Sequence, residues 1–393
     1  MSNSESRTIR AAIVIGSTRR RSWLTNWQRH QEFVSRIAGR VPTLYVCLGV
    51  TRNKSFEDVL RRILARRTRS VRRVPLTGCS EGIEFVDMPG VPIRDIQPWR
   101  RLNSVLLNRR IARWLSEQGC KSSEALLWIG IPTDYALDAV LEFGDAFSVY
   151  DVAQIYSESQ HLGSSVTGTE STLLESVDLI LADSKVVAKS LGQSAPAAVI
   201  VPQGVDVELF RPSRRVRREG VVGYLGSENQ AFDARLMREV VGALPAVRFE
   251  LAGDFDSSWE SANVHVLGPV AHSELPIILG AWSVGIVPYK LNAFTAGVLP
   301  TKVLEYRAAG LPVVSTGLDA LRGMGWPGIH YADDTRAFAR EIEAGIMKGS
   351  NEEPDWSWLD AQSWDARFES IERALQTQGV HLPADKGHRS DCA

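Results

Sequence analysis

The chain has 393 residues, 44% of them hydrophobic and 23% charged, with a formal net charge of −1. That mixture excludes a disordered or fibrous protein, and the length favours two domains over one core. No apolar run nears the roughly 20 residues that span a bilayer, and the polar stretch 1–10 leads into no apolar signal segment, so a cytoplasmic location is expected.

The small net charge hides a bipolar chain. Residues 1–121 carry 24 Lys and Arg against 9 Asp and Glu, which leaves 21 against 37 for the remainder. Such a basic first third points at an anionic partner, a membrane surface or a nucleic acid. The signatures of RNA-binding and zinc-finger modules are missing, which sets nucleic acid aside. Cys47, Cys79, Cys120 and Cys392 form no C-x-x-C pair, so neither a disulfide framework nor a zinc site is expected.

In chain order, short β-branched runs alternate with helical patterns, the signature of parallel sheets with crossover helices. Strands are predicted over 11–16, 43–48, 83–88, 125–129, 148–152, 179–182 and 198–201, with helices over 26–38, 56–67 and 99–118. In the 56–67 helix, Phe56, Val59, Leu60, Ile63 and Leu64 gather on one face while Arg61, Arg62 and Arg66 fill the others. Such a helix either lies in a lipid interface or packs on its own sheet. The charge run RPSRRVRREG, 211–220, reads as a linker. A second series follows, with strands over 221–225, 248–252, 265–267, 284–287 and 312–315 and helices near 232–244, 274–280, 301–309 and 335–347. A helix over 364–375 carries the stripe Trp364, Phe368, Ile371 and Leu375, and a polar tail closes the chain.

Ligands of open α/β sheets bind beyond the carboxyl ends of the strands. In VVGYLGSENQ, Gly226 and Ser227 stand there, where a side-chain-free backbone lets a diphosphate approach. In LPTKVLEYRAAGLPVVST, Pro300 suits the first helical position, Lys302 supplies a cation for phosphate oxygens, and Glu305 can grip the vicinal hydroxyls of a ribose. The competing reading makes Lys302 and Glu305 an i,i+3 surface pair. Upstream, VGIVPYK ends in a second cation, Lys290. No D-x-D follows a strand, and no metal or other cofactor is expected beyond the donor substrate itself. No G-x-G-x-x-G follows the first strand of either half, which argues against a dinucleotide-dependent dehydrogenase.

These motifs resemble the nucleotide-sugar glycosyltransferases of group 1, the family-4-like enzymes of two-Rossmann GT-B architecture. VVGYLG, FELAGD, VHVLGPVAHSELPIIL, VGIVPYKLN and LPTKVLEYRAAGLPVVST occur in family order across most of 220–316. WLTNWQRHQEFVSRIAGRVPTLYV, VYDVAQIYSE, LILADS and VPQGVDVELFRP extend a fainter similarity to the exopolysaccharide and teichuronic-acid branch. The resemblance implies an α/β protein with two Rossmann-like doubly wound domains facing each other across a cleft. Its parts would be a basic acceptor-binding domain 1–210, a linker 211–220, a donor-binding domain 221–362, a helix 363–378 packing back on the first domain, and a disordered tail 379–393.

It further implies that Glu305 holds the ribose, that Thr301 and Lys302 sit at the diphosphate, and that Gly226 and Ser227 line the donor site. The family's E-x7-E pair keeps only its second acid, because Gly297 stands at the first, and the Arg/Lys pair after the first strand of the second half is missing. Lys290 and Lys302, with Arg307, are the cations left to neutralise the leaving diphosphate. Of the branch's Y-D-x-x-D-D-F only Asp151 remains as a catalytic candidate, Gln154 and Ile155 replacing the paired acids; Glu158 and His161 are nearby titratable groups. Arg19, Arg20, Arg21 and Arg29 would serve a lipid-linked acceptor's phosphate or anchor the protein on an anionic membrane, as would Arg61, Arg62 and Arg66. The expectation is a glycosyltransferase acting peripherally on the inner face of the plasma membrane on a lipid-linked or glycan acceptor. A nucleotide-sugar epimerase of the same architecture and a non-catalytic sugar-nucleotide-binding homologue are the alternatives.

Overall fold

Strands β1 (Arg7–Thr8), β2 (Ala11–Gly16), β3 (Thr43–Cys47), β4 (Ile83–Asp87), β5 (Ala125–Ile129), β6 (Phe147–Val152), β7 (Leu179–Ala182) and β8 (Val199–Ile200) run through the first half of the computed structural model. It describes residues 6–18, 23, 29–48, 82–88, 97–159, 166–192, 197–211, 220–348 and 353–385. The predicted helix 56–67, loop residues Arg19, Arg20 and Arg21, His161, most of the predicted linker and residues 386–393 lie outside the described residues.

The chain divides into two units, one of Met1–Ala182, Leu191–Ile200 and Phe368–Cys392, the other of Asp183–Ser190 and Val201–Arg367. In the first, seven parallel strands among the described residues lie in the order β4-β3-β2-β5-β6-β7-β8. AAIVIG in β2 and ALLWI in β5 are buried at every position. Continuous apolar runs of this kind are what a parallel strand covered on both faces requires. The long helix Gln97–Glu117 covers part of the sheet, burying Leu107, Ile111 and Trp114.

Among its described residues the second unit holds six parallel strands, β9 (Val221–Leu225), β10 (Arg248–Ala252), β11 (Val264–Gly268), β12 (Val284–Val287), β13 (Val313–Ser315) and β14 (Ile329–Tyr331), in the order β11-β10-β9-β12-β13-β14. The edge strand β14 was not predicted, because IHY is three residues long and half-buried, too little for a periodicity. Large rings fill this unit's core, and two strand glycines make room for them. A Cβ on Gly223 would fall 1.9 Å from the Trp282 ring, and one on Gly285 would fall 2.5 Å from Tyr306. Trp282 Nε1 donates to buried Glu250 at 2.9 Å, so the deepest indole keeps a partner.

Tyr306 is fully buried and takes up backbone groups at the carboxyl ends of two strands: the Leu225 N–H donates to its hydroxyl at 2.8 Å, and that hydroxyl points to the Ile286 carbonyl at 3.4 Å. Burial keeps its phenol neutral, well above its ordinary titration range. Tyr306→Phe should therefore strand the Leu225 N–H and destabilise this unit by about 1–3 kcal/mol. A urea unfolding midpoint equal to wild type would show that water or another group replaces the hydroxyl.

The helix Lys302–Ala308 begins two residues later than Pro300 would need for the first helical position. Val303 N donates to the Pro300 carbonyl and Leu304 N to that of Thr301, so the helix is entered through tight i→i+3 turns and the proline sits ahead of the cap. At the far end of the chain, β15 (Val380–His381) pairs in parallel with β1 within the first unit. The predicted tail thus contains a strand at its start; backbone pairing with residues some 370 positions away leaves no trace in composition. No helix among the described residues is long and apolar enough to cross a membrane.

Candidate functional site

In the second unit the strand order reverses between β9 and β12, which lie side by side while the chain winds outward from each. The carboxyl ends of such a strand pair form the crevice where open α/β sheets take their ligands. Three segments meet there: the turn after β9 with Gly226 and Ser227, the turn after β12 with Tyr289 and Lys290, and the start of the helix Lys302–Ala308.

The turn after β9 is built against the turn after β10. Gly226 N donates to the Ala252 carbonyl at 2.8 Å and Asp254 N donates to Ser227 Oγ at 3.2 Å. Gly226 has φ of 133° and Gly253 has φ of 155°, conformations that other residues rarely adopt. A Cβ on Gly253 would also meet the Gly226 carbonyl at 2.1 Å.

Lys302 points its ammonium at this turn. Nζ donates to the Tyr289 hydroxyl at 2.9 Å, lies 4.2 Å from the centre of the Tyr224 ring and 5.1 Å from that of Tyr289. A Cβ on Gly226 would be 2.5 Å from it. The missing side chain at 226 is thus the space that the ammonium faces. Burial first, then the neighbouring phenols of Tyr289 and Tyr306, push the Tyr224 hydroxyl well above its usual range, so the Tyr224 ring meets the ammonium as a neutral π-face. The i,i+3 ion pair with Glu305 does not form: the ammonium goes to Tyr289 instead.

The other residues distribute around this centre. Thr301 caps the helix by position only; its hydroxyl donates to Gln203 Oε1 at 3.3 Å, and Gln203 Nε2 in turn reaches Asp183 Oδ2 at 3.4 Å. Glu305, half-buried, stands one turn into the helix. Lys290 is exposed, its backbone N–H fixed on the Ala231 carbonyl. Arg307 does not join these cations. It donates to the Leu311 carbonyl at 2.8 Å and packs at Gly328, on the side where β13 begins, because five residues of helix carry it about 7.5 Å along the axis.

In the first unit, Asp151 and Arg29 prove to be each other's partners. Arg29 Nη2 and Nε donate to Asp151 Oδ1 at 2.7 and 3.0 Å, and both side chains are under 5% exposed. The guanidinium also stacks on Phe33. Arg29, predicted to face an acceptor phosphate or a membrane, is instead an interior cation joining the start of the helix Arg29–Ala38 to the end of β6. Glu158 is exposed. Tyr224 and Gln203 were missed by sequence reasoning: the tyrosine sits in an apolar strand run, and the glutamine reaches a residue 98 positions away.

Comparison with known proteins fits this geometry. Residues 220–346 match the glycosyl transferases group 1 family. No curated protein sequence matches the chain. In fold the chain is similar to HepE (Alr3699) of Anabaena, solved with UDP and glucose, with a TM-score of 0.64 at 13% identity over 93% of this chain and 99% of that one. It is also similar to TarM, with a TM-score of 0.56 at 8% identity over 93% and 95% of the two chains. A Listeria monocytogenes protein provisionally named UDP-N-acetylglucosamine 2-epimerase gives a TM-score of 0.51 at 10% identity over 96% and 99%. At such identities the likeness establishes the fold, which is GT-B. The second unit thus carries a group 1 glycosyl transferase domain, set within a chain of GT-B fold.

Proposed function

We propose that the protein moves a sugar from a nucleotide diphosphate donor to a lipid-linked or polysaccharide acceptor, without a metal ion, at the cytoplasmic face of the membrane in cell-surface glycan synthesis. The observation that carries the donor half is the Lys302 ammonium, framed by Tyr224 and Tyr289 and facing the bare backbone of Gly226 at the strand-order reversal of the second unit. As the glycosidic bond breaks, negative charge builds on the departing diphosphate. A fixed cation in a partly desolvated setting stabilises that charge more than it stabilises the bound donor. Lys290 adds a mobile second cation, Ser227 and Thr301 supply hydroxyls, and Glu305 accepts from the ribose. Support for a UDP donor comes from HepE, solved with UDP and glucose. The basic residues 1–121 support an anionic membrane as the acceptor's setting.

A thermal-shift panel of UDP, GDP, dTDP and ADP with their hexoses tests the donor half, since a ligand that binds only the native state raises the unfolding temperature. UDP and its sugars should give the largest rise, undiminished by EDTA. No shift with any of them would overturn the reading. Loss of the shift in chelator would overturn its metal-free part. Interconversion of the donor's sugar with no acceptor present would point to an epimerase instead.

A further inference from the structure

The helix Gln97–Glu117 buries one side on the sheet of the first unit, yet its opposite side is not the polar surface that a solvent-facing helix usually shows. Trp99, Leu102 and Val105 are 41%, 42% and 46% exposed. At about 100° per residue the three fall within an arc of about 120°. Further along the same side, and at its flank, come the exposed residues Arg101, Arg109 and Arg113.

These three arginines differ from the two others in the helix. Arg100 pairs with Asp134 at 2.9 Å, and Arg110 pairs with Glu84 at 2.7 Å. No ion pair to Arg101, Arg109 or Arg113 occurs among the described residues. The helix contains a single acid, Glu117, at its last position. One surface therefore combines an indole and two aliphatic side chains with three cations that no acid among the described residues pairs.

We infer that this face is a docking surface for an anionic lipid membrane. The inference rests on the membrane setting proposed above and narrows it to one helix. Charge complementarity selects an anionic partner, and the apolar turn beside it selects lipid over a soluble polyanion. Aliphatic side chains and an indole gain by entering the boundary between headgroups and acyl chains, while arginines just beyond them pair with headgroup phosphates. A nucleic acid or an acidic protein surface would use the arginines and leave Leu102 and Val105 in water. The sequence conceals the arrangement because both sides of the helix are apolar: Leu107, Ile111 and Trp114 point inward while Trp99, Leu102 and Val105 point outward.

The test is co-sedimentation of the full chain with phosphatidylcholine vesicles, with and without phosphatidylglycerol, at low and high salt. The wild type should bind the anionic vesicles, and more weakly at high salt. Trp99→Ser/Leu102→Ser/Val105→Ser should lower partitioning by about tenfold or more. Arg109→Ser/Arg113→Ser should lower it by about 30-fold and flatten the salt dependence. All five positions are exposed, so the thermal shift given by a nucleotide donor should be unchanged in both variants. Wild-type vesicle binding that neither variant alters would overturn the assignment to this helix while leaving the membrane setting intact. Wild-type indifference to anionic vesicles would overturn both, with the donor reading untouched. Retention on a soluble polyanion, lost in the arginine variant and unaffected in the apolar one, would overturn lipid as the partner.

Discussion

Lys302→Met should lower sugar transfer by about 10²–10³-fold while the protein stays folded. Methionine keeps the unbranched stem that runs past Tyr224 and Tyr289 but removes the charge and the donor to the Tyr289 hydroxyl. The cation–π attraction and the hydrogen bond it gives up belong to a half-buried side chain, about 1 kcal/mol together, and so are a small part of total stability. The catalytic effect is larger because the diphosphate gains charge between ground state and transition state, and the ammonium is fixed at the side-chain-free turn before that happens. Turnover and kcat/KM should fall together, since the interaction strengthens only as the bond breaks. Steady-state transfer with a saturating donor reads the first, and subsaturating donor the second. A rise in KM at unchanged turnover would reduce Lys302 to a ground-state contact, and activity within a few-fold of wild type would remove it from the site.

Much of this centre is legible in the order of residues because it is local. Gly226 follows a strand, Lys302 and Glu305 open a helix, and Tyr289 with Lys290 follows the intervening strand; each is readable within a dozen residues of sequence. Their convergence is readable too, through the rule that places ligands at the reversal of strand order. What escapes is long-range. The Tyr224 ring lies beside Lys302 only because β9 and the helix from 302 share one side of the sheet, and the link from Thr301 through Gln203 to Asp183 joins three distant segments. Arg307 reads as a third cation by proximity in sequence, yet helix geometry carries it to the opposite strand ends. Exposure is equally hidden: Trp99, Leu102 and Val105 have the composition of a core face, and only the position of the sheet turns them outward.

The Arg29–Asp151 pair is the sharpest case of a long-range partner, 122 residues apart in sequence, and it gives the second prediction. Asp151→Asn should destabilise the first unit by about 3–5 kcal/mol, because it removes the carboxylate that faces a guanidinium under 5% exposed. The lost opposite charge beside a buried cation matters more than the changed bond. Arg29→Met/Asp151→Leu should therefore recover much of the loss, since an apolar pair of similar volume removes both desolvated charges and keeps the packing on Phe33. Chemical unfolding of the single and double variants closes the cycle. The same variants separate a structural role from a catalytic one for Asp151, which the sequence marks as a titratable candidate near the acceptor side. A double variant that is as stable as wild type and transfers sugar at a comparable rate makes the pair a clamp between the start of the helix Arg29–Ala38 and the end of β6. A double variant that is equally stable but inactive would mean that the carboxylate itself acts on the substrate, and that Arg29 holds it ready rather than neutralising it.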